Sequence, residues 1–165
     1  LIIQYGHVET VAQRVEHLQL IRDLQDETGG FTAFITWNFQ PDETDLGADA
    51  DRWNGMKATG FDHLRTVAVS RLFLDNIDSL QASWVTQGPK IAQVSLRYGV
   101  NDFGSTMLEE NVVSAAGTSH TNEMNLATMR RLVEAAGYRL QRRNTRYKPV
   151  AQEPRPELLR KAATA

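Results

Sequence analysis

The sequence predicts an α/β fold in which apolar strands alternate with amphipathic helices. Short β-prone runs such as "LIIQY" and "FTAFITWNF" each precede a segment whose apolar residues recur at spacings of three and four. This strand–helix order repeats about four times, which is typical of a parallel sheet covered by helices. From the pattern alone, the units form either a small doubly wound sheet or one half of an eight-unit barrel.

The clear predicted strands are residues 31–39 and 80–86, whereas the first, "LIIQY", is short, apolar and β-prone. "LIIQY" predicts strand one, and the helix after it ends at Gly29 and Gly30, because glycine accepts the left-handed backbone past a helix end. Residues 31–39 predict a buried strand rich in aromatic and β-branched residues. The polar stretch 40–60 is long for a connector, which indicates a functional or a mobile loop. The inward positions of the first helix are predicted at Val8, Val11, Val15, Leu18 and Ile21.

A helix over residues 61–76 completes the second unit. Thr59 and Asp62 have the spacing of a capping box at its start. The positions predicted to face the core are Leu64, Val67, Ala68, Leu72 and Phe73.

The remaining two units are shorter. Residues 80–86 predict a strand, and Pro89 and Gly99 suit the first turn and the end of the next helix, with Ile91, Val94 and Tyr98 along one face. "NDFGST" predicts a short strand that breaks into a loop, and residues 126–136 predict a helix capped by Asn125. "YRLQRRNTRY" predicts a final extended segment with a solvated edge.

These elements predict one domain over residues 1–147 and a proline-containing C-terminal tail over residues 148–165. The net charge of −2 gives no electrostatic reason to expect nucleic acid or an anionic membrane as a partner. No apolar run approaches the roughly 18 residues that span a bilayer, and the start is no signal peptide, so we expect a cytoplasmic protein. The absence of cysteine excludes disulfides and thiolate metal sites from this chain.

Parallel α/β folds bind ligands at the carboxyl ends of their strands, so the candidate site follows each predicted strand. The four places are "YGHVE", "WNFQPDET", "WVTQGPK" and "NDFGSTMLEEN", all rich in groups that hydrogen-bond or stack. His7 and Glu109 are candidates for catalysis, although a lone histidine at a strand end more often makes a structural hydrogen bond. No phosphate-binding, zinc-protease or hydrolase motif occurs, so local motifs name no reaction.

Four stretches together resemble one enzyme family: "YGHVET", "DETGGFTAFITWNFQPDET", "ASWVTQG" and "NDFGSTMLEENVVSAAGT". They are similar to the C-terminal half of the cyclic dehypoxanthinyl futalosine synthases, radical SAM enzymes of menaquinone biosynthesis by the futalosine route. The resemblance covers residues 1–147. It implies that the chain is the second half of a TIM-type (β/α)8 barrel, with about four parallel βα units.

The resemblance also implies cofactors, a substrate and a partner. The cofactors are S-adenosylmethionine and a [4Fe-4S] cluster, and the small-molecule substrate is dehypoxanthine futalosine, which the family cyclises by radical chemistry. The family holds its cluster on three cysteines in the N-terminal half. Because this chain has no cysteine and begins with Leu1, we expect a fragment that is inactive alone and whose partner is the missing N-terminal half.

Carried over residue by residue, the resemblance implies two sets of binding residues. Gly6 and Glu9 match a glycine and a glutamate that help to seat S-adenosylmethionine. The other implied cofactor-binding residues are Tyr5, Trp37, Phe39 and Gln40. The implied substrate-binding residues are Trp84, Thr86, Gln87, Asn101, Asp102, Ser105 and Thr106.

Two alternative functions stay open at the level of sequence. A radical SAM paralogue, such as aminofutalosine synthase or a deazaflavin-cofactor synthase, would act on a different substrate. A half-barrel without a cluster would be a non-catalytic binding or assembly module, and its unpaired strand edges predict self-association.

Overall fold

The computed structural model describes residues 1–53, 55–107, 112–116 and 123–151. In these ranges the chain alternates strands and helices. The elements, in chain order, are β1 (Ile2–Tyr5), α1 (Val11–Thr28), β2 (Phe34–Asn38), α2 (Asp45–Ala48), α3 (Gly60–Phe73), β3 (Leu80–Gln81), α4 (Trp84–Ser95), a 3-10 turn (Leu96–Tyr98), α5 (Val112–Ala115) and α6 (Leu126–Ala135).

The strands form one parallel sheet in the order β1–β2–β3. Ile3 of β1 lies opposite Thr36 of β2, and Tyr5 lies opposite Asn38. The predicted fourth strand is reduced to a single parallel bridge, which joins Asp102 to the last residue of β3. The predicted α/β class with a parallel sheet is confirmed, whereas closure into a barrel stays a prediction.

Helices cover one face of this sheet. Ile3, Tyr5 and Thr36 point to the covered face and are at most 3% exposed, whereas Ile2 and Gln4 alternate with them on β1 and are exposed. α3 packs against β2 and α1, and α4 packs against α3 and α6. The core lies between the sheet and these helices and includes Leu18, Ile21, Phe34, Val67, Leu74, Leu80, Ala92 and Leu96.

Capping chemistry sets the limits of α1. Thr10 and Gln13 form a capping box, and Gly29, with a φ of 57°, ends the helix as predicted. Leu18 and Ile21 are buried as predicted, but Val8 lies before the helix, and Val8, Val11 and Val15 are all exposed, so that part of the predicted face is wrong. The inward-facing side of α1 begins instead at Arg14, whose guanidinium donates to the Thr66 hydroxyl of α3.

α3 begins at the predicted capping box of Thr59 and Asp62. Leu64 and Val67 face the core as predicted, but Leu72 is 83% exposed, so its predicted inward position is wrong. The helix instead buries a row of polar side chains at helical spacing, namely His63, Thr66 and Ser70. His63 pairs with Tyr5 of β1, and Thr66 accepts from Arg14 of α1, so this buried face is partly polar.

The predicted strand over residues 80–86 is wrong beyond Gln81. The backbone N–H of Ala82 donates to the Asp102 carbonyl at 2.7 Å, and the Ser83 carbonyl then accepts from Gln87 N–H at 3.0 Å, which starts α4. A sharp kink at Gly88 (φ 80°, ψ 161°) separates this first turn from the regular helix that follows. That helix begins at Pro89 and the 3-10 turn after it ends at Gly99, as predicted, but it buries Ala92, Ser95 and Leu96, whereas Val94 and Tyr98 are exposed.

The C-terminal segment folds back on itself without forming a strand. Asn144 N–H donates to the Lys148 carbonyl and Val150 N–H donates to the Arg142 carbonyl, both at 2.9 Å. α6 has Asn125 as its cap, as predicted. The boundary at residues 147 and 148 stays a prediction, and most of the predicted tail lies outside the described residues. Among those that are described, we find no helix with the length and apolar character needed to cross a bilayer.

Candidate functional site

Residues 6–9, here called the β1 turn, leave the carboxyl end of β1 in a tight loop. Gly6 has a φ of +80°, a conformation that side chains other than glycine rarely adopt. The Gly6 N–H donates to Glu9 Oε1 at 2.6 Å, and the His7 N–H donates to Glu9 Oε2 at 3.1 Å. The Glu9 carboxylate therefore fixes the shape of its own turn.

Arg14 of α1 holds the same carboxylate from the other side. Its Nη2 donates to Glu9 Oε1 at 2.6 Å, and both side chains are mostly buried. Burial of Glu9 acts to raise its pKa, but the hydrogen bonds from Gly6, Arg14 and His7 outweigh that and leave the Glu9 pKa below its usual value. Glu9 is thus an ionised group that organises backbone amides.

An aromatic wall adjoins the β1 turn. Phe39 lies edge-on to His7, with ring centroids 6.1 Å apart, and edge-on to Trp53, with centroids 5.9 Å apart. Trp53, in the long loop after β2, was not predicted, although an aromatic residue in a long polar loop was an available signal. Its Nε1 is buried without a hydrogen-bond acceptor among the described residues, so the wall offers flat apolar faces and an unused donor.

Tyr5 and Trp37 lie on opposite faces of the sheet. Tyr5 is 1% exposed beneath α1 and α3, and its hydroxyl pairs with His63 Nδ1 at 3.0 Å, so any part that it plays in binding is indirect. Trp37 is half-buried opposite Gln4, on the face where Ile2 and Gln4 are exposed. The structure therefore does not bring Tyr5 and Trp37, both predicted to bind the cofactor, onto one surface.

Gln40 connects the end of β2 to the first turn of α4. Its Nε2 donates to the Thr86 carbonyl at 3.2 Å. Thr86 is buried with its hydroxyl paired to Ser83 Oγ at 2.5 Å, and Trp84 is only 2% exposed. Both side chains support the turn from within, whereas Gln87 is half-buried. Trp84, Thr86 and Gln87 are thus positioned by a helical turn rather than by a strand.

Asp102 lies at the centre of a second group at the end of β3, here called the Asp102 cluster: Gln81, Asp102, Arg143 and Tyr147. Asp102 Oδ1 accepts from Gly104 N–H at 2.7 Å and from Arg143 Nη2 at 3.1 Å, and Arg143 Nε donates to Asp102 Oδ2. The Arg143 guanidinium stacks on the Tyr147 ring at 3.8 Å, and the Tyr147 hydroxyl donates to Gln81 Oε1 at 3.2 Å. The solvated edge predicted for this arginine-rich segment is therefore wrong at Arg143.

Gly104 brings the Asp102 cluster against α4. A Cβ at Gly104 would lie 2.9 Å from Gln81 Nε2 and 3.4 Å from Trp84 Nε1, so the loop after Asp102 packs closely on both side chains. Ser105 and Thr106, the next residues, are exposed. The predicted residues Trp84, Asp102, Ser105 and Thr106 are therefore neighbours at the carboxyl end of β3.

Asn101 and Glu109 do not join this group in the structure. The Asn101 side chain accepts from Leu80 N–H at 2.8 Å and donates to the Asp78 carbonyl at 2.8 Å, so it fixes the start of β3. The amide is thus occupied at the amino end of β3, and a role for Asn101 in binding the substrate stays a prediction. Glu109 lies outside the described residues.

The described ranges contain no group of three or more histidine or acidic side chains placed to hold a metal ion. What the site offers instead is two polar turns, an aromatic wall and a neutralised Asp102–Arg143 pair along one edge of the sheet. Such an edge can bind a ligand that combines flat rings with hydroxyl groups.

Comparison with known proteins identifies the family. Residues 28–155 match the CofH/MqnC C-terminal region. The chain is 50% identical over 147 residues to a cyclic dehypoxanthine futalosine synthase of Halalkalibacterium halodurans, covering 89% of this chain and 37% of that protein. It is 50% identical over 115 residues to a protein of the same name from Streptomyces coelicolor, covering 70% and 27%.

A relative with another name is almost as similar. A 5-amino-6-(D-ribitylamino)uracil–L-tyrosine 4-hydroxyphenyl transferase of Methanosphaerula palustris is 46% identical over 145 residues, covering 88% of this chain and 39% of that protein. The chain thus spans no more than about two fifths of the length of these relatives. The resemblance to the C-terminal half of this enzyme group is confirmed, and the chain belongs to the CofH/MqnC C-terminal family.

Proposed function

We propose that this chain forms the C-terminal part of a radical SAM enzyme that cyclises dehypoxanthine futalosine in menaquinone biosynthesis. The observation that carries the proposal is the convergence, at the carboxyl ends of three parallel strands, of the aromatic wall with the Asp102 cluster. The names and identities of the two futalosine synthases support it. The non-catalytic alternative is not favoured, because the relatives are named as synthases and transferases.

The uncovered face of the sheet suits the interior of a barrel. Parallel sheets are normally covered on both faces, yet Ile2 and Gln4 are exposed, and Trp37 lies on the same face, which the helices of the described residues leave open. In a closed (β/α)8 barrel this face would line the interior and hold ligand near the carboxyl ends of the strands. We therefore place the substrate against Trp37 and the strand ends.

The proposed cofactors fit this chain to different degrees. A [4Fe-4S] cluster needs thiolate ligands, and the chain has no cysteine, so its residues do not fit the cluster and we assign the cluster to the rest of the enzyme. S-Adenosylmethionine fits better, because aromatic rings adjoin the β1 turn and Trp53 Nε1 is a buried donor without an acceptor among the described residues. When bound, this cofactor supplies the group that abstracts hydrogen from the substrate.

The residues of this chain would then bind and orient. Phe39 and Trp53 would pack against the flat adenosyl ring, and the β1 turn would contact the same ring. Exposed Ser105 and Thr106 are suited to the ribose hydroxyls of the substrate, as is half-buried Gln87. Asp102, already engaged by Arg143, would shape the loop that presents them.

Product analysis tests the proposal. The full-length protein, with its cluster reconstituted without oxygen, is incubated with S-adenosylmethionine, a reductant and dehypoxanthine futalosine, and the cyclic product is sought by mass spectrometry. A parallel reaction contains 5-amino-6-(D-ribitylamino)uracil and L-tyrosine. Cyclic product only in the first reaction supports the proposal, whereas product only in the second assigns the chain to the transferases.

A pair of variants tests the assignment of the site. Thr106→Ala removes an exposed hydroxyl beside the Asp102 cluster and should raise KM for the substrate about tenfold, as the loss of one hydrogen bond predicts. Thr32→Ala removes an exposed hydroxyl before β2, at the opposite end of that strand, and should leave KM unchanged. An unchanged KM in both variants would remove Thr106 from the substrate site.

A further inference from the structure

A buried chain of contacts connects α3 to the β1 turn. His63 Nδ1 pairs with the Tyr5 hydroxyl at 3.0 Å. The Arg14 guanidinium lies over the Tyr5 ring, 4.6 Å from its centroid, and the same guanidinium donates to Glu9 at 2.6 Å. Glu9 in turn accepts from the two amides that shape the turn.

α3 acts on this chain at two points one helical turn apart. His63 contacts Tyr5, and Thr66 accepts from Arg14 Nη1 at 2.9 Å. Residues at this spacing share one helix face, so a single face fixes both the ring beneath the guanidinium and the guanidinium itself. Arg14 can then adopt few positions other than the one that meets Glu9.

We propose that His63 is a positioning residue that holds the β1 turn in its binding shape by acting through Tyr5 and Arg14. The inference rests on the proposed function only for what the turn binds. The partner that the structure gives His63 is Tyr5, so its effect on the turn passes through other side chains.

The way in which His63 is buried supports this role. Its side chain is fully buried, and its Nε2 has no partner among the described residues. Burying a polar atom without a partner costs free energy, and an apolar side chain would fill the same layer without that cost. Burial also lowers the pKa of His63 to about 4, which keeps the ring neutral at neutral pH.

Amide hydrogen exchange in the full-length protein tests the inference directly. His63→Phe fills the layer but removes Nδ1, and Tyr5→Phe removes only the hydroxyl. Each should lower the protection of the Gly6 and His7 amides about tenfold, because local opening of the turn becomes easier. His63→Asn, whose amide lies close to the position of Nδ1, should restore most of the protection.

Ser70→Ala is the matched control. Ser70 lies on the same buried face of α3, and its hydroxyl has no partner among the described residues, so its removal should leave both amides as protected as in the wild type. Unchanged protection in Tyr5→Phe would overturn the inference even if the His63→Phe variant does not fold. Unchanged protection in His63→Phe, with the fold intact, would overturn it equally.

Binding of S-adenosylmethionine separates this inference from the proposed function. Equilibrium dialysis with the cluster-free protein should show about tenfold weaker binding in His63→Phe, while Ser70→Ala binds as the wild type does. In the assembled enzyme, KM for S-adenosylmethionine should rise more than kcat falls. A wild-type protein that binds no S-adenosylmethionine would refute the proposed cofactor site, while the exchange result would still decide the role of His63.

Discussion

Acid should destabilise this protein through His63 in a measurable way. Burial lowers the pKa of His63 from an ordinary 6.5 to about 4 in the folded chain. Between these two values the unfolded chain binds more protons than the folded chain, so the free energy of unfolding falls as the pH falls. The stability is fully present above pH 6.5 and is lost as the pH approaches 4.

The two pKa values fix the size of the effect. The pKa of His63 differs by about 2.5 between the folded and unfolded chains. A pKa difference of one corresponds to about 1.4 kcal/mol, so the free energy of unfolding falls by about 3 kcal/mol in total. About 2 kcal/mol of this loss falls between pH 7 and pH 5. Glu9, whose pKa is lowered, adds an acid-dependent loss of its own, so only a difference between variants isolates the contribution of His63.

Urea unfolding at pH 7 and pH 5, followed by tryptophan fluorescence, measures that difference. His63→Asn cannot be protonated and should lose about 2 kcal/mol less than the wild type over this range. His17→Gln, on the exposed side of α1, is the control and should lose as much as the wild type. Equal losses in the wild type and in His63→Asn, or an NMR titration midpoint of the His63 ring near 6.5, would refute the reasoning.

Three further predictions concern single side chains. Arg143→Ala should lower the free energy of unfolding by about 2 kcal/mol in urea, because it leaves a mostly buried carboxylate without its cation. Arg146→Ala, an exposed neighbour, should change it little, and equal effects would contradict the pairing. Gly104→Ala should reduce kcat/KM more than Gly55→Ala: both have positive φ, but only at Gly104 does a Cβ meet a side chain, at 2.9 Å. Thr59→Ala removes a helix cap and should lower the thermal midpoint, at a cost of about 1 kcal/mol.

Features controlled by neighbouring residues were predictable from the sequence. The capping box at Thr59, the glycine end of α1 at Gly29 and the cap at Asn125 are all confirmed. Each depends on a few consecutive residues whose hydrogen bonds have no strong competitor. The parallel order of the strands was predictable for a similar reason, since the alternation of strands and helices leaves few other topologies.

Features that depend on residues distant in sequence were not predictable from the sequence. A seven-residue run ending in "WVT" suits a strand or a helical turn equally, and β3 ends early because the Ser83 carbonyl accepts from Gln87 N–H and starts α4. In the sequence, the polar residues of α3 are typical of a solvent-exposed face. Only the contacts with Tyr5 and Arg14, which are distant in sequence, show that this face is buried. Arg143 finds its carboxylate 41 residues earlier in the chain, a distance over which spacing carries no information.

The candidate site divides in the same way. The strand-end rule placed candidate residues after each predicted strand, and the structure brings His7 beside Phe39 and the loop after Asp102 against Trp84. The rule could not distinguish side chains that are accessible to a ligand from side chains that are buried in the core. Tyr5 and Thr86, both predicted as ligand contacts, are buried with their hydroxyls paired inside the protein.

The kink at Gly88 has a consequence for how new specificities arise on this scaffold. The turn that carries Trp84 and Gln87 is separated by the kink from the rest of α4, which is anchored where Gln93 bonds to the Leu132 carbonyl at 2.8 Å. Substitutions in the turn can therefore change its shape without shifting the register of the helix behind it. A directed-evolution library at half-buried Gln87, with the buried Trp84 and Thr86 kept, should yield many folded proteins with altered substrate preference, because the kink separates this position from the helix that packs against α6.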